Sequence, residues 1–333
     1  MQQPIAVLGS GSWGTALALY LSRLGQEVRL WTFEADHVQE MLKDGVNNRY
    51  MPGFAFPKTL RPTASLSDAI ADVSDILVAV PSVGYRNTMT LLKPLLKNSA
   101  SIISATKGLD LETGELLHTL AKSILEKDFD YAVLSGPSFA REVAAGLPTA
   151  VVIAGKNQQF TQKLLKRFNS PIFRVYLSTD IPGVEIGGVV KNVLAIACGI
   201  SDGMGLGTNA RSALITRGLD EMIRLGLAVG GEYETFTGLA GVGDLVLTCT
   251  DDQSRNRRFG LALGKGKVAH DAEREIGQIV EGKRNTELVV QLAQKHKIEM
   301  PIAEMVWEVL QEKTTSEAGM KQLLAREPNG ETD

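Results

Sequence analysis

The chain has 333 residues, with 38 acidic and 35 basic side chains and a formal charge of −3 when the four histidines are neutral. That length suggests about two domains at the usual ~100–200 residues each, and 44% hydrophobic against 22% charged residues is ordinary globular composition. Disorder, a collagen-like repeat and a disulfide scaffold are excluded, and a slightly acidic chain has no general attraction for nucleic acid or anionic membrane.

The N-terminus enters a strand pattern at once, without the basic stretch and apolar run of a signal peptide. Residues 5–8 read as a buried strand, 13–24 as a helix ended by Gly25, and 27–31 as a second strand. Residues 75–80 form another buried run, stopped by Pro81. Further strands are expected at 101–105, 131–134, 149–154 and 173–176. Helical periodicity lies between them, near 85–96, 114–125, 139–145 and 158–168. Such alternation with near-continuous apolar strands implies a parallel sheet covered on both faces.

The pattern changes after about residue 180. Residues 182–200 and 209–229 read as long helices, 286–296 and 300–312 as shorter ones, with no convincing strand. The chain therefore divides near 178–183 into an α/β part, 1–180, and an all-helical part, 181–333, whose polar tail after Arg326 is expected to fray. The low-charge stretch 186–201 is too short for a membrane span and carries Lys191 and Asn192, so a buried helix is expected and no stable membrane insertion. Two well-separated cysteines, Cys198 and Cys249, fit a reducing compartment, and a cytoplasmic protein is expected.

Gly9-Ser10-Gly11-Ser12-Trp13-Gly14 is a G-x-G-x-x-G motif that follows a strand and opens a helix within a βαβ unit. In that context Gly9 permits the tight turn, Gly11 lets backbone approach a pyrophosphate, and Gly14 lets helix and strand pack closely. The helix N-terminus supplies unpaired N–H groups and a favourable dipole. The first part is thus expected to be a Rossmann-type, doubly wound, mostly parallel dinucleotide-binding domain. An acidic residue ending the second strand would bind the ribose of NAD. Glu34 lies near that place, after Thr32 and Phe33, and reads equally as a ribose ligand or a solvated loop charge. No arginine directly follows the strand to clamp the 2′-phosphate of NADP, so the coenzyme stays open between NAD and NADP.

Three further features can carry chemistry. Lys107 lies just beyond the carboxyl end of a strand, the edge where doubly wound sheets bind ligands, although a solvated loop lysine has the same pattern. Lys191 is the only charged residue between Glu185 and Asp202, so it either snorkels to water or serves a site. A lysine held in a water-poor cleft has a lowered pKa and suits acid–base work near neutrality. Asp244 follows two glycines and could orient such a lysine; Ser254-Arg255-Asn256-Arg257-Arg258 offers either a phosphate fork or a solvated basic turn. His37, His118, His270 and His296 lack metal-ligand spacing, there is no C-x-x-C pair, and no metal is expected. Neither a nucleophile elbow around Gly136-Pro137-Ser138 nor an ATP-binding P-loop is present. Hydride transfer needs neither, because the cofactor carries the chemistry.

Taken together, GSGSWGTALA at 9–18, ATKGL at 105–109, SGPSFAREV at 135–143, VKNV at 190–193, TNARSALITRG at 208–218, GVGDLVLTCT at 241–250, SRNRRFG at 254–260 and VEG at 280–282 resemble bacterial NAD(P)-dependent glycerol-3-phosphate dehydrogenases. The resemblance implies reversible reduction of dihydroxyacetone phosphate to sn-glycerol 3-phosphate, which feeds glycerophospholipid synthesis. It implies that Lys191 is the acid/base, that Lys107 contacts and polarises the substrate, and that Asp244 binds substrate and orients Lys191. It places Gly136 and Ser138 on the substrate, and Ser254, Arg255 and Asn256 at its phosphate. Ser12, Trp13, Ala140, Ile279 and Glu281 would contact the dinucleotide beside Gly9, Gly11 and Gly14, with Lys107 and Arg255 reaching it too. Phe33 stands in that cofactor set where such proteins usually carry His or Arg, which weakens any expectation of NADP. A homodimer is implied by the resemblance alone. A related β-hydroxyacid or sugar-phosphate dehydrogenase, or a non-catalytic dinucleotide-binding redox sensor, are the other readings.

Overall fold

The computed structural model describes residues 3–97 and 99–325. The first part alternates β1 (Ile5–Leu8), α1 (Ser12–Arg23), β2 (Val28–Trp31), α2 (Ala35–Asp44), β3 (Leu60–Thr63), α3 (Leu66–Ile70), β4 (Asp75–Val78) and α4 (Ser82–Leu92). It continues through β5 (Ser101–Ser104), α5 (Leu117–Leu125), β6 (Tyr131–Ser135), α6 (Ala140–Ala145), β7 (Thr149–Gly155), α7 (Gln158–Phe168) and β8 (Phe173–Ser178). The eight strands form one sheet in the order β3-β2-β1-β4-β5-β6-β7-β8. Every residue of β1, β4 and β5 is buried, and their centres are apolar, with Asp75, Ser101 and Ser104 the polar residues at strand ends. Ile5 and Val7 pack into the core on one face, Ala6 and Leu8 into the core on the other.

The sheet is not wholly parallel: β7 runs antiparallel to β6, with Val133 opposite Ala154, and β8 then runs parallel to β7. The short α6 packs beside α1 and does not carry the chain across to the other end of the sheet. The next strand therefore starts from the edge where β6 ended. β3 and α2 were absent from the sequence reading. β3 alternates buried and exposed residues and contains Pro62, so its pattern resembles a loop.

From Ile181 the chain is helical: α8 (Ile181–Gly203), α9 (Gly207–Ala228), α10 (Tyr233–Thr237), a π-helical turn (Leu239–Gly243) and α11 (Asp244–Thr250). Then follow α12 (Arg255–Gly264), α13 (Ala269–Ile276), α14 (Glu281–Lys295), α15 (Pro301–Leu310) and α16 (Ser316–Leu324). Among the described residues no strand follows Ser178; the tail after Arg326 lies outside them. The α8 helix is long and apolar enough to cross a membrane, yet its apolar window is entirely buried inside the protein. It is the axis of the third core, with α9, α14 and α15 packed around it. The α12 helix crosses it so closely that a Cβ on Gly199 would stand 2.8 Å from the Leu261 nitrogen and 2.9 Å from the Gly260 Cα. This contact lays α12 along the C-terminal half of α8, and the Asn256–Asn192 hydrogen bond sets its start beside the middle of that helix.

Candidate active site

The glycine turn after β1 has the geometry a dinucleotide needs. Gly9 has φ +111°, and a Cβ there would lie 2.7 Å from the Ala79 carbonyl oxygen. A Cβ on Gly14 would overlap the Gly9 carbonyl, so this residue keeps α1 against the turn. A Cβ on Gly11 would meet no protein atom within 4 Å, so nothing in the fold demands glycine there. The α1 helix starts at Ser12 with no side-chain cap and no acidic residue in its first turn. The buried indole nitrogen of Trp13 has no protein partner. An open approach, uncapped N–H groups and an orphan donor suit a pyrophosphate and its flanking groups. Ser12 is held in place by donating to the Tyr50 carbonyl at 3.0 Å, and Ala140 opens α6, which packs on α1. Phe33 projects from the end of β2, 79% exposed.

The cationic centre lies on the helical part and is closed from the sheet. Lys191 does not snorkel: it is 6% exposed, and its Nζ donates to Asp244 Oδ1 and, at 3.0 Å, to Thr248 Oγ1. Lys107, just past β5, reaches across and donates to Asp244 Oδ2 at 2.7 Å. Its stem passes over Gly188, where a Cβ would lie 3.5 Å from Lys107 Cγ. One buried carboxylate therefore holds two ammonium groups, one from each part of the chain. The π-helical turn makes this possible, because it ends at Gly243 and leaves Asp244 as the first residue of α11.

Burial disfavours the charged form of Lys191 and Lys107 repels it, while Asp244 opposes both; its pKa is pushed down to about 7. Burial pushes the Asp244 carboxyl up, but its two cations outweigh that and hold it below the ordinary carboxylate range. The centre is thus an anion flanked by two cations, one of them poised to exchange a proton near neutrality.

The structure distributes the remaining candidates unevenly. Asn256 donates to Asn192 Oδ1 at 2.8 Å, which sets the N-terminus of α12 next to Lys191. The Asn256 Oδ1 accepts from the Gly282 N–H at 2.9 Å, so much of its amide is spent joining α8, α12 and α14. Ser254 caps α12 by accepting from the Arg257 N–H at 3.2 Å. Arg255 stays half-buried and donates to Gln278 Oε1 at 3.2 Å, with the Glu281 carboxylate close enough to favour its charge. Arg257 is not part of any phosphate fork, because Asp202 and Asp252 engage its guanidinium. Arg258 is exposed. Ser138 donates to the Gly136 carbonyl at 2.9 Å and so folds onto its own loop; Pro137 of that loop faces Gly243.

Glu281 is turned toward the sheet part. Its carboxylate accepts from the Ser82 hydroxyl at 2.8 Å and the Ser82 N–H at 3.3 Å, and burial pushes its pKa up. Ile279 lies half-buried just before it. Asn285, one turn later, accepts from the Leu109 N–H at 2.9 Å. Thr248 and Asn285 were not singled out from the sequence. Thr248 stands four residues after Asp244, the spacing that places two side chains on one helix face, and that was its available signal. A cavity of about 370 Å³ lies apart from this centre, lined by Thr113, Glu115, Leu116, Leu288, Lys295 and His296 among others. Among the described residues no group of three or more His, Cys, Asp or Glu gathers to hold a metal ion.

Comparison with known proteins finds relatives along nearly the whole chain. Residues 4–161 match the NAD-dependent glycerol-3-phosphate dehydrogenase N-terminus and residues 180–321 the C-terminus of the same family. The chain is 53% identical over 330 residues to glycerol-3-phosphate dehydrogenase [NAD(P)+] of Coxiella burnetii, covering 99% of each chain. It is 52% identical over 329 residues to the protein of that name from Shewanella sediminis, covering 98% of this chain and 97% of that one. A crystal structure of glycerol-3-phosphate dehydrogenase from Coxiella burnetii superposes with a TM-score of 0.95 at 54% identity, covering 98% of this chain and 99% of the other.

Proposed function

The chain belongs to the NAD-dependent glycerol-3-phosphate dehydrogenase family, and from that premise we propose how its own side chains carry the reaction. The enzyme reversibly reduces dihydroxyacetone phosphate to sn-glycerol 3-phosphate with NAD(P)H. When bound, the reduced nicotinamide supplies a hydride to C2 of the substrate. The protein must then place that carbon, neutralise the charge growing on its oxygen, and deliver a proton.

Lys191 is the proton donor in our reading. Its Nζ gives a proton to the carbonyl oxygen as that oxygen becomes an alkoxide, and takes it back in the reverse direction. Lys107 polarises the same carbonyl and stabilises the developing negative charge. Asp244 holds both ammonium groups and keeps their repulsion from driving Lys191 neutral. The substrate phosphate lies at the start of α12, on the backbone N–H groups there and the Arg255 guanidinium, with Gly136 and Ser138 closing over the substrate from the loop after β6. We assign residues 1–180 to coenzyme binding and 181–333 to substrate and proton transfer. Gly9, Gly11, Ser12, Trp13, Gly14, Phe33 and Ala140 hold the dinucleotide, and Lys107, Arg255, Ile279 and Glu281 border it.

The observation that carries this reading is the buried Lys107–Asp244–Lys191 arrangement, with one lysine near neutral pKa. Mixing the protein with dihydroxyacetone phosphate and NADH or NADPH is expected to bring rapid loss of absorbance at the nicotinamide band. No turnover with either coenzyme refutes the reading. The product is the backbone of glycerophospholipids, so we place the enzyme in their synthesis in the cytoplasm. Cells depleted of it are expected to need supplied glycerol 3-phosphate. We take the assembly to be a homodimer, which light scattering at the monomer mass would refute.

A further inference from the structure

Resting on the dehydrogenase reading above, we propose that Glu34 accepts the 2′-hydroxyl of the adenosine ribose and, with Arg49 held by neighbouring carboxylates, makes this enzyme prefer NADH to NADPH. Glu34 occupies the cap position of α2, three residues past the end of β2, but makes no capping bond with its side chain. Its Oε2 lies 3.6 Å from His37 Nδ1, and that nitrogen lies 3.4 Å from the hydroxyl of Ser10 in the glycine turn. The carboxylate therefore stands beside the turn that suits the pyrophosphate, where the ribose of a dinucleotide extends toward the end of the second strand.

The opposite wall is residues 47–50, tied to the same turn. Asn47 donates to the Ser10 carbonyl at 2.7 Å and to Thr15 Oγ1 at 2.8 Å, and the Tyr50 carbonyl accepts from Ser12 at 3.0 Å. Arg49 sits between these anchors, on the same side as Glu34, and is the cation there that a 2′-phosphate would have to recruit. Two of its three nitrogens are engaged, Nε at 2.7 Å from Glu40 Oε2 and Nη2 at 2.7 Å from both Asp36 Oδ2 and Glu40 Oε1, while Nη1 faces Glu34 Oε1 at the longer ion-pair distance of 3.8 Å. Three carboxylates thus surround one guanidinium. The N-terminal dipole of α2 attracts anions, but Glu34 and Asp36 already occupy that end. A ribose hydroxyl donates to Glu34 without disturbing this set. A phosphate dianion would have to approach a surplus of negative charge and pull Arg49 from two short ion pairs.

Steady-state rates with dihydroxyacetone phosphate test this directly. The wild-type kcat/KM is expected to be about tenfold or more higher for NADH than for NADPH. Glu34→Gln is expected to narrow that ratio by raising efficiency with NADPH, while Arg49→Ala is expected to leave it essentially unchanged, because carboxylates already engage that guanidinium. Binding of adenosine 5′-monophosphate against adenosine 2′,5′-bisphosphate isolates the 2′ position and is expected to favour the monophosphate in the wild type. Melting temperatures of both variants establish that they fold. Equal or better use of NADPH by the wild type overturns the proposal. So does a selective loss of NADPH turnover in Arg49→Ala, or an unchanged ratio in Glu34→Gln. Absence of turnover with both coenzymes refutes the dehydrogenase reading instead, and the two adenosine nucleotides then still decide this one.

Discussion

Lys191 can exchange a proton near neutrality because burial and Lys107 push its pKa down while Asp244 pulls it up. With Lys191 as the proposed proton donor, reduction needs the ammonium, so its kcat/KM is expected to fall as pH rises through about 7. Oxidation of glycerol 3-phosphate needs the neutral amine, so its kcat/KM should rise through the same region, and profiles run in both directions check the pair. Asp244→Asn removes the group that raises the lysine, which should move the falling limb of the reduction profile to lower pH. A limb that stays in place would deny Asp244 that part. Lys191→Ala should lower kcat by roughly 10²–10⁴, measured by single-turnover absorbance. At this scale the sequence exposed Lys191 as an isolated charge in an apolar stretch, but not whether water or a partner received it. The spacing of Thr248 from Asp244 was a weak signal on its own, because it counts only if α11 starts at Asp244, and the π-helical turn that sets this start has no pattern in the sequence.

Among the elements, α12 carries the proposed phosphate contact, and its packing on α8 is tight. Gly199→Ala should force α8 and α12 apart, costing about 1–3 kcal/mol as other overpacked contacts do. It should raise KM for dihydroxyacetone phosphate through the displaced Arg255, as thermal melts and steady-state assays can show. A second helix is set by a distant carboxylate: Glu221 on α9 accepts from the Ile302 N–H at 2.7 Å and the Ala303 N–H at 3.2 Å, at the start of α15. Burial raises its pKa to about 7. The folded state therefore binds this proton more tightly than the unfolded chain, and the stability it contributes is lost as pH rises from the ordinary glutamate range through about 7. Glu221→Gln is expected to flatten that part of the stability profile in denaturant titrations. The buried strands and the long α8 were legible because burial on all sides leaves continuous apolar runs. The helices between residues 233 and 276 were not, being short and interrupted by glycines and charges. Nor was the direction of β7, since apolar alternation is the same for either sense.

Across the whole molecule, polar ties join the sheet part to the helical part at several places. The Glu185 carboxylate on α8 accepts from the His118 N–H at 3.0 Å and lies 2.8 Å from its Nδ1, while Ser82 and Leu109 are tied to Glu281 and Asn285. Glu185→Gln should cost about 1–3 kcal/mol of stability with kcat close to wild type, since Glu185 makes none of the bonds at the reacting centre. None of these ties was readable in the sequence, where each pair is separated by 67 residues or more. The tie through Asp244 differs from the others because it joins the parts at the reacting centre itself. Its carboxylate comes from one part and only one of its two cations from the same part. Drawing the sheet away would remove Lys107 and admit water, and both changes return the lysine at 191 toward its usual basic range. The proton affinity of that amine would thus follow closure: with the parts drawn apart the lysine would stay charged near neutrality and could not take up the proton in the oxidation direction, whereas shut it can exchange it both ways.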